Sequence, residues 1–483
     1  MALSAEFVRG GVPNNPPVSS ESLTKTITDT NLLKHAHKLA EFANLSNGTR
    51  VFGSPGHNAT VQYIKDKLDA TGFYDIVLQT FPYMYSYGTA QFSVNGEPYS
   101  IRWIKYGPAG QANATLVPIS NLGCNSSDFT VDVSGKIAII SRGQCDLGIK
   151  VALAGAAGAS GVIIYNNVTE TLQRHSLTEL SRPDIGPYVP CGVISVTDGQ
   201  ALLQKINAGG TLTGSLTVEA TTEQRYTSNV LATTKSGDQK NVVMAGGHTD
   251  SVPPGPGIND NGSGSMGILE IALQLARFNI TNAVRFGFWT AEEYGGIGSN
   301  YYTSSLTTEE QQEIALYLNF DMIASPNFGY FIYDGDGSAF NLTGPSGSDA
   351  IEHVFEDYYK AVGIVTAGRE LFGRSDYDSF FKLEIPFGGI DTGAEEIKSE
   401  EEASRWGGQA NIAYDPCYHQ SCDTVQNLNA TAWVANTKAG GHAIATFARS
   451  LEGIPRPRNS TSRLALPKGQ LRARGCGHEI LSM

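Results

Sequence analysis

The chain has 483 residues, 41% of them hydrophobic and 17% charged, with a formal net charge of −13. That length accommodates two or three domains, and that composition excludes wholesale disorder. The negative balance argues against DNA or RNA as a partner, and no apolar run approaches the roughly 20 residues of a membrane-spanning helix.

In chain order, the first thirty residues are rich in Ser, Thr, Pro and Asn and read as a loose leader. The opening MALSAEFVRGG carries no apolar core of a signal peptide, so the true beginning is expected to lie upstream. Apolar spacing predicts a helix from about Leu32 to Phe42, with His35 and His37 as surface residues. A second helix carries Val61, Ile64 and Leu68 on one face and stops at Gly72, followed by the strand IVLQTF. From about 90 to 220, strands such as KIAIIS and GVIIY alternate with Gly-rich turns, and VALAGAAGASGVIIY reads as a buried helix, turn and strand. After about 225 the texture changes to strand–helix alternation. NVVMAGGH, AVRFGFWTA and ALYLNFD are strands and SMGILEIALQLARF is a helix, which predicts an α/β doubly wound, mostly parallel sheet with helices on both faces. The Arg-rich segment from about 454 reads as a disordered or processed tail.

The chemistry-bearing residues fall where such a sheet places its ligands, beyond the carboxyl ends of strands. His248 and Asp250 follow NVVMAGG, Asp260 lies in the loop PGPGINDNGSG, Glu292 and Glu293 follow AVRFGFWTA, and Asp321 ends ALYLNFD. His419 sits in a loop bracketed by Cys417 and Cys422, which a disulfide would stiffen. Imidazole and carboxylate suit zinc. Two ions about 3.5–4 Å apart need a shared ligand, a role that suits Asp260. His248 and Asp321 would complete one ion, Glu293 and His419 the other. Glu292, one position away from a ligand, is the natural general base, and Asp250 could accept the second imidazole N–H of His248.

The set GGHTDS, NDNGSG, TAEEYG, NFDM and YH resembles the M28 zinc aminopeptidases of the aminopeptidase Y and leucine aminopeptidase type, over about Asn229 to Ala448. The resemblance implies two Zn2+, hydrolysis of the first peptide bond of substrates with a free N-terminus, and a preference for leucine or other apolar first residues. It also implies that Tyr418 stabilises the oxyanion and that Met322 lines the pocket for the first side chain. The segment GRSDYDSF resembles a family stretch near the site, with no role assigned to Arg374. VSGKIAIISRGQC, KVALAGAAGASGVIIYNN and GVISVTDGQALL resemble a protease-associated (PA) domain, inserted and α+β. The expected organisation is therefore a leader and N-terminal part of the peptidase domain over 1–90, the PA domain over 91–222, the zinc peptidase domain over 223–453, and a tail over 454–483.

Six cysteines include Cys124 and Cys145, candidates for a second bridge, and N-x-[ST] acceptors are dense, from Asn44 to Asn459. Both features point to a glycosylated, secreted or vacuolar protein, expected to act as a monomer. Asn261 is a formal acceptor beside a candidate ligand and is expected to be unused. GSGSMG fits a dinucleotide fingerprint but follows a loop, so its glycines serve the turn and a close helix approach. His442 reads as a packed histidine and Cys191 as a buried apolar residue. A single-zinc cyclase conflicts with the full ligand set, a carboxypeptidase would need a further dimerisation domain, and a receptor built on a dead peptidase would have lost ligands.

Overall fold

The computed structural model describes residues 15–169 and 175–458. The chain divides into two compact units, one formed by the segment up to Pro82 together with the segment from Tyr226 onward, the other by Tyr83–Arg225.

The first unit begins with α1 (Ser20–Thr24), α2 (Asp29–Ala43) and α3 (Pro55–Asp69). Ser19 and Ser22 form a reciprocal capping box at the start of α1. Val18, Leu23 and Ile27 are buried in the main core. Residues 15–30 are thus packed structure and not a loose leader, because three apolar residues among the polar ones suffice to seat the short helix. His35 also departs from expectation. It is buried, with Nδ1 2.7 Å from the Tyr63 hydroxyl and Nε2 3.3 Å from Glu270, whereas His37 is exposed. A polar side chain on the inner face of α2 is tolerated there because both ring nitrogens have partners.

The sheet of this unit contains β1 (Asp238–His248), β2 (Asn282–Trp289), β3 (Ile314–Phe320), β4 (Phe331–Tyr333), β5 (Ala367–Arg369) and β6 (Phe387–Asp391). β1 lies between β2 and β3, parallel to both, and β3 pairs in parallel with β6. Antiparallel pairings flank this parallel centre. β4 runs against β6, and Val230–Thr233 runs against β2. Side chains alternate between faces. Val243, Ala245, Phe286, Phe288, Leu316 and Leu318 enter the core beneath α2, α4 (Gly262–Leu275), α5 (Ser348–Ala361) and α6 (Ala430–Arg449). Met244, Trp289 and Tyr317 enter a second cluster with Phe380 and Phe387. Burial on both faces explains why these strands read as continuous apolar runs. Each large side chain so buried contributes about 1.5–3 kcal/mol.

In the second unit, Ile137–Ser141 pairs in parallel with Gly161–Tyr165, and the latter with Cys191–Ile194. Successive residues point to two separate cores, Ala138 and Ile140 to one, Ile137 and Ile139 to the other. Helices Leu147–Ala156 and Val196–Asn207 accompany the sheet, and Cys124 is bonded to Cys145. Cys191 is a buried free thiol. The basic tail begins docked, with Arg456 donating to Asn241 Oδ1 at 2.8 Å and to the Gln312 carbonyl at 2.6 Å. The rest of the tail, residues 1–14 and Asn459 lie outside the described residues. Among the described residues no helix is long and apolar enough to cross a membrane.

Gly264, in the first turn of α4, is where the loop, helix and β3 meet. A Cβ there would fall 2.1 Å from the Phe320 carbonyl oxygen and 2.4 Å from Asn261 Oδ1. Gly264→Ala is therefore expected to destabilise the protein by about 1–3 kcal/mol, read as a lowered melting temperature. An unchanged melting curve would contradict this packing.

Candidate active site

The carboxyl end of the parallel sheet assembles the site. β1 delivers His248 as its last residue, the turn after β2 delivers Glu292 and Glu293, and Asp321 immediately follows β3. The loop before α4 brings Asp260. Its successor Asn261 caps that helix, accepting from the Gly264 N–H at 2.8 Å while donating to the Phe320 carbonyl at 2.8 Å. Asn261 also accepts from the Met322 N–H at 3.2 Å, tying the Asp260 loop to the end of β3. This residue is fully buried, so the glycan acceptor formed here has no room for a glycan.

Asp260 faces two imidazoles, one with each oxygen. Oδ1 lies 3.2 Å from His248 Nε2, and Oδ2 lies 3.0 Å from His419 Nε2. Asp321 Oδ1 stands 3.5 Å from His248 Nε2, and Glu293 Oε2 stands 3.0 Å from His419 Nε2. Two triads capable of holding a metal ion result, His248–Asp260–Asp321 and Asp260–Glu293–His419. Glu292 Oε2 lies 3.8 Å from His248 Nε2. Asp250 sits beside His248, as the sequence reading expects, and also serves Glu292. Its backbone carbonyl is 3.2 Å from His248 Nδ1 while its carboxylate stands at 3.6 Å, and that carboxylate accepts the Glu292 N–H at 3.0 Å.

The electrostatics follow from burying so many acids together. Burial opposes the charged form of His248, but Asp321, Asp250 and Asp260 outweigh it and raise the imidazole well above its ordinary value. His419 is similarly raised to about 10, burial being overcome by Glu293 and Asp260. Burial, reinforced by Asp376, Asp321 and Glu293, lifts Glu292 well above the usual carboxylate range. Asp321 Oδ1 is buried without a hydrogen-bond donor. An excess of buried carboxylate, an orphaned carboxylate oxygen and a mixed nitrogen–oxygen donor set together fit divalent zinc.

The structure adds partners around the site to which the sequence assigned no role, Ser375 and Asp423 among them. Ser375, in GRSDYDSF, donates to Asp321 Oδ2 at 2.6 Å. Asp423 accepts the Asn259 and Asp260 N–H groups at 2.8 and 3.0 Å, joining the Asp260 loop to the segment just beyond the Cys417–Cys422 bridge. The Tyr418 ring stacks on His419 at 3.9 Å, and Arg374 Nη2, which also pairs with Glu395 at 2.7 Å, donates to the Tyr418 hydroxyl at 3.4 Å. The adjoining pocket includes Met322, Phe372, Tyr333, Tyr377, Gly393 and Ala394, with Arg369 held against Asp391. His442 is half-buried against Tyr358 and Ser20, away from the cluster.

The peptidase family M28 model matches residues 229–443, and the PA domain model matches 112–202. The probable leucine aminopeptidase 2 of Aspergillus fumigatus is 47% identical over 448 residues, covering 92% of this chain and 89% of that protein. The chain belongs to peptidase family M28. Among solved structures similar to this M28 chain, an aminopeptidase from Aneurinibacillus sp. strain AM-1 has a TM-score of 0.66 at 26% identity, covering 89% of this chain and 96% of that one. A zinc aminopeptidase from Bacillus subtilis shares the fold, with a TM-score of 0.57 at 22% identity over 90% of this chain and 97% of that one.

The bridge Cys417–Cys422 closes a loop with a sequence separation of 5 around Tyr418 and His419. Chain entropy assigns so short a loop about 2 kcal/mol, small against the whole fold. Replacing both cysteines with serine is therefore expected to lower kcat/KM about 10-fold by loosening His419, with only a modest drop in melting temperature. Peptide hydrolysis assays beside thermal unfolding check this, and unchanged kcat/KM would refute it.

Proposed function

We propose that this M28 chain is a zinc aminopeptidase that removes the first residue of peptides through a site of two metal ions sharing Asp260. The observation that carries the reading is the split of the Asp260 carboxylate between two histidines, each completed by a further acid. His248 and Asp321 would hold one zinc, and Glu293 and His419 the other. Bound zinc would polarise the scissile carbonyl as a Lewis acid and lower the pKa of the attacking water.

The chain's own groups handle the protons and the orientation. Glu292 lies beside the triads and belongs to neither, so it takes the proton from the attacking water and passes it to the leaving amine. Tyr418 donates its hydroxyl proton in a hydrogen bond to the developing oxyanion, on a ring fixed by stacking on His419. Met322, with its neighbours in the pocket, receives the first side chain, and its apolar character favours leucine and similar residues. Relatives named leucine aminopeptidase 2, matched over most of the chain, support that preference.

The protein is further proposed to be exported, to the cell exterior or a vacuole, and to act as a monomer. Both disulfides require an oxidising compartment. The acceptors Asn44, Asn47, Asn58, Asn113, Asn125, Asn167 and Asn341 are exposed and accessible to glycosylation.

Release of leucine from a short peptide and from its N-acetylated copy, each with and without a zinc chelator, tests the activity. Cleavage of the free peptide alone, abolished by chelation, is expected, whereas cleavage of the acetylated copy would exclude an aminopeptidase. Glu292→Gln is expected to keep two zinc ions per chain while turnover falls roughly 10²–10⁴-fold. Loss of zinc in that variant would make Glu292 a ligand instead of a base.

A further inference from the structure

Arg50 lies between α2 and α3, remote in sequence from the acidic cluster, and is fully buried. Its side chain donates only to backbone carbonyls among the described hydrogen bonds. Nε reaches the Pro256 oxygen at 2.8 Å, Nη2 reaches the Gly257 oxygen at 2.5 Å, and Nη1 reaches the Thr249 oxygen. The main chain adds to this grip, since the Arg50 N–H donates to Ser251 Oγ at 2.8 Å and the Ser251 N–H donates to the Arg50 carbonyl at 3.2 Å. One side chain therefore pins both ends of a single loop, its start just after His248 and the stretch just before Asp260.

A cation is a costly way to fill a core unless its surroundings demand charge. These do. Burial pulls the Arg50 pKa down to about 10, opposed by Asp250, Asp423, Asp260 and Glu293, so the group stays protonated near neutrality. A planar guanidinium also presents several N–H groups at fixed angles, which the single ammonium of lysine does not. Removing it would leave the two ends of this loop free to shift against each other and would release three buried carbonyls.

We propose that Arg50 is a positioning residue of the metal centre, fixing the separation of His248 and Asp260 so that Asp260 can serve two ions. The proposal rests on the two-metal reading above. Its test uses the full chain with Arg50→Lys and Arg50→Met, measuring melting temperature, zinc bound per chain, zinc affinity by competition with a chelator, and kcat and KM separately. Arg50→Lys keeps a charge in the core and is expected to fold. Its zinc affinity should fall 10–100-fold, in the range seen when outer partners of metal ligands are removed. KM for the peptide should stay within about 3-fold, and excess zinc should restore part of kcat. Arg50→Met should lose more zinc affinity than Arg50→Lys in its folded fraction. Wild-type zinc affinity in the folded fraction of Arg50→Lys, or failure of that variant to fold, would overturn the proposal by reducing Arg50 to a core residue. The two readings fail separately. Wild-type protein that takes up fewer than two zinc ions defeats the two-metal reading, whereas the role of Arg50 is read from the ratio of variant to wild-type affinity.

Discussion

The structure is organised around one electrostatic problem, the crowding of buried carboxylates at the carboxyl end of a parallel sheet. Asp260, Glu292, Glu293 and Asp321 converge there with only two imidazoles among them. Such a concentration of like charge is tolerated only where cations share the space. The raised pKa of both histidines expresses that demand. Much of the surrounding architecture keeps these groups from drifting apart. Asn261 joins the helix cap to the end of β3, Ser375 holds Asp321, and Asp423 receives the backbone of the Asp260 loop.

This support continues into the sheet. Trp289 Nε1 donates to the Tyr317 hydroxyl, which donates to Asn319, and Asn319 donates to the Ser375 hydroxyl that meets Asp321. Polar residues so deep in a sheet are stable because each is partnered, and a fully partnered chain is stiff. The orientation of Asp321 is thereby tied to residues on neighbouring strands.

The central strands were legible in the sequence because burial on both faces leaves them almost wholly apolar, and His248, Glu292, Glu293 and Asp321 were legible because they stand at or just beyond the ends of those runs. His419 was found through its flanking cysteines. Other features were hidden for physical reasons. Arg50, Ser375 and Asp423 act through backbone groups or single hydroxyl contacts, and such partners follow no spacing rule in sequence. The packing of residues 15–30 was missed because three buried residues among many polar ones produce no periodicity. The burial of His35 depended on Tyr63 and Glu270, which are distant along the chain.

The grip of Arg50 also has a bearing on the order of events during synthesis. Its three carbonyl partners lie 199 to 207 residues further along the chain. At a ribosomal rate of about 5–20 residues per second, Arg50 waits roughly 10–40 s after its own synthesis before those partners exist. The whole of Tyr83–Arg225 is made in that interval and has its own cores around which to fold. The first unit cannot close until the later segment arrives, so its early helices must remain soluble in the meantime without the sheet they will cover. A nascent chain of this kind keeps the apolar faces of α1, α2 and α3 uncovered throughout the synthesis of Tyr83–Arg225.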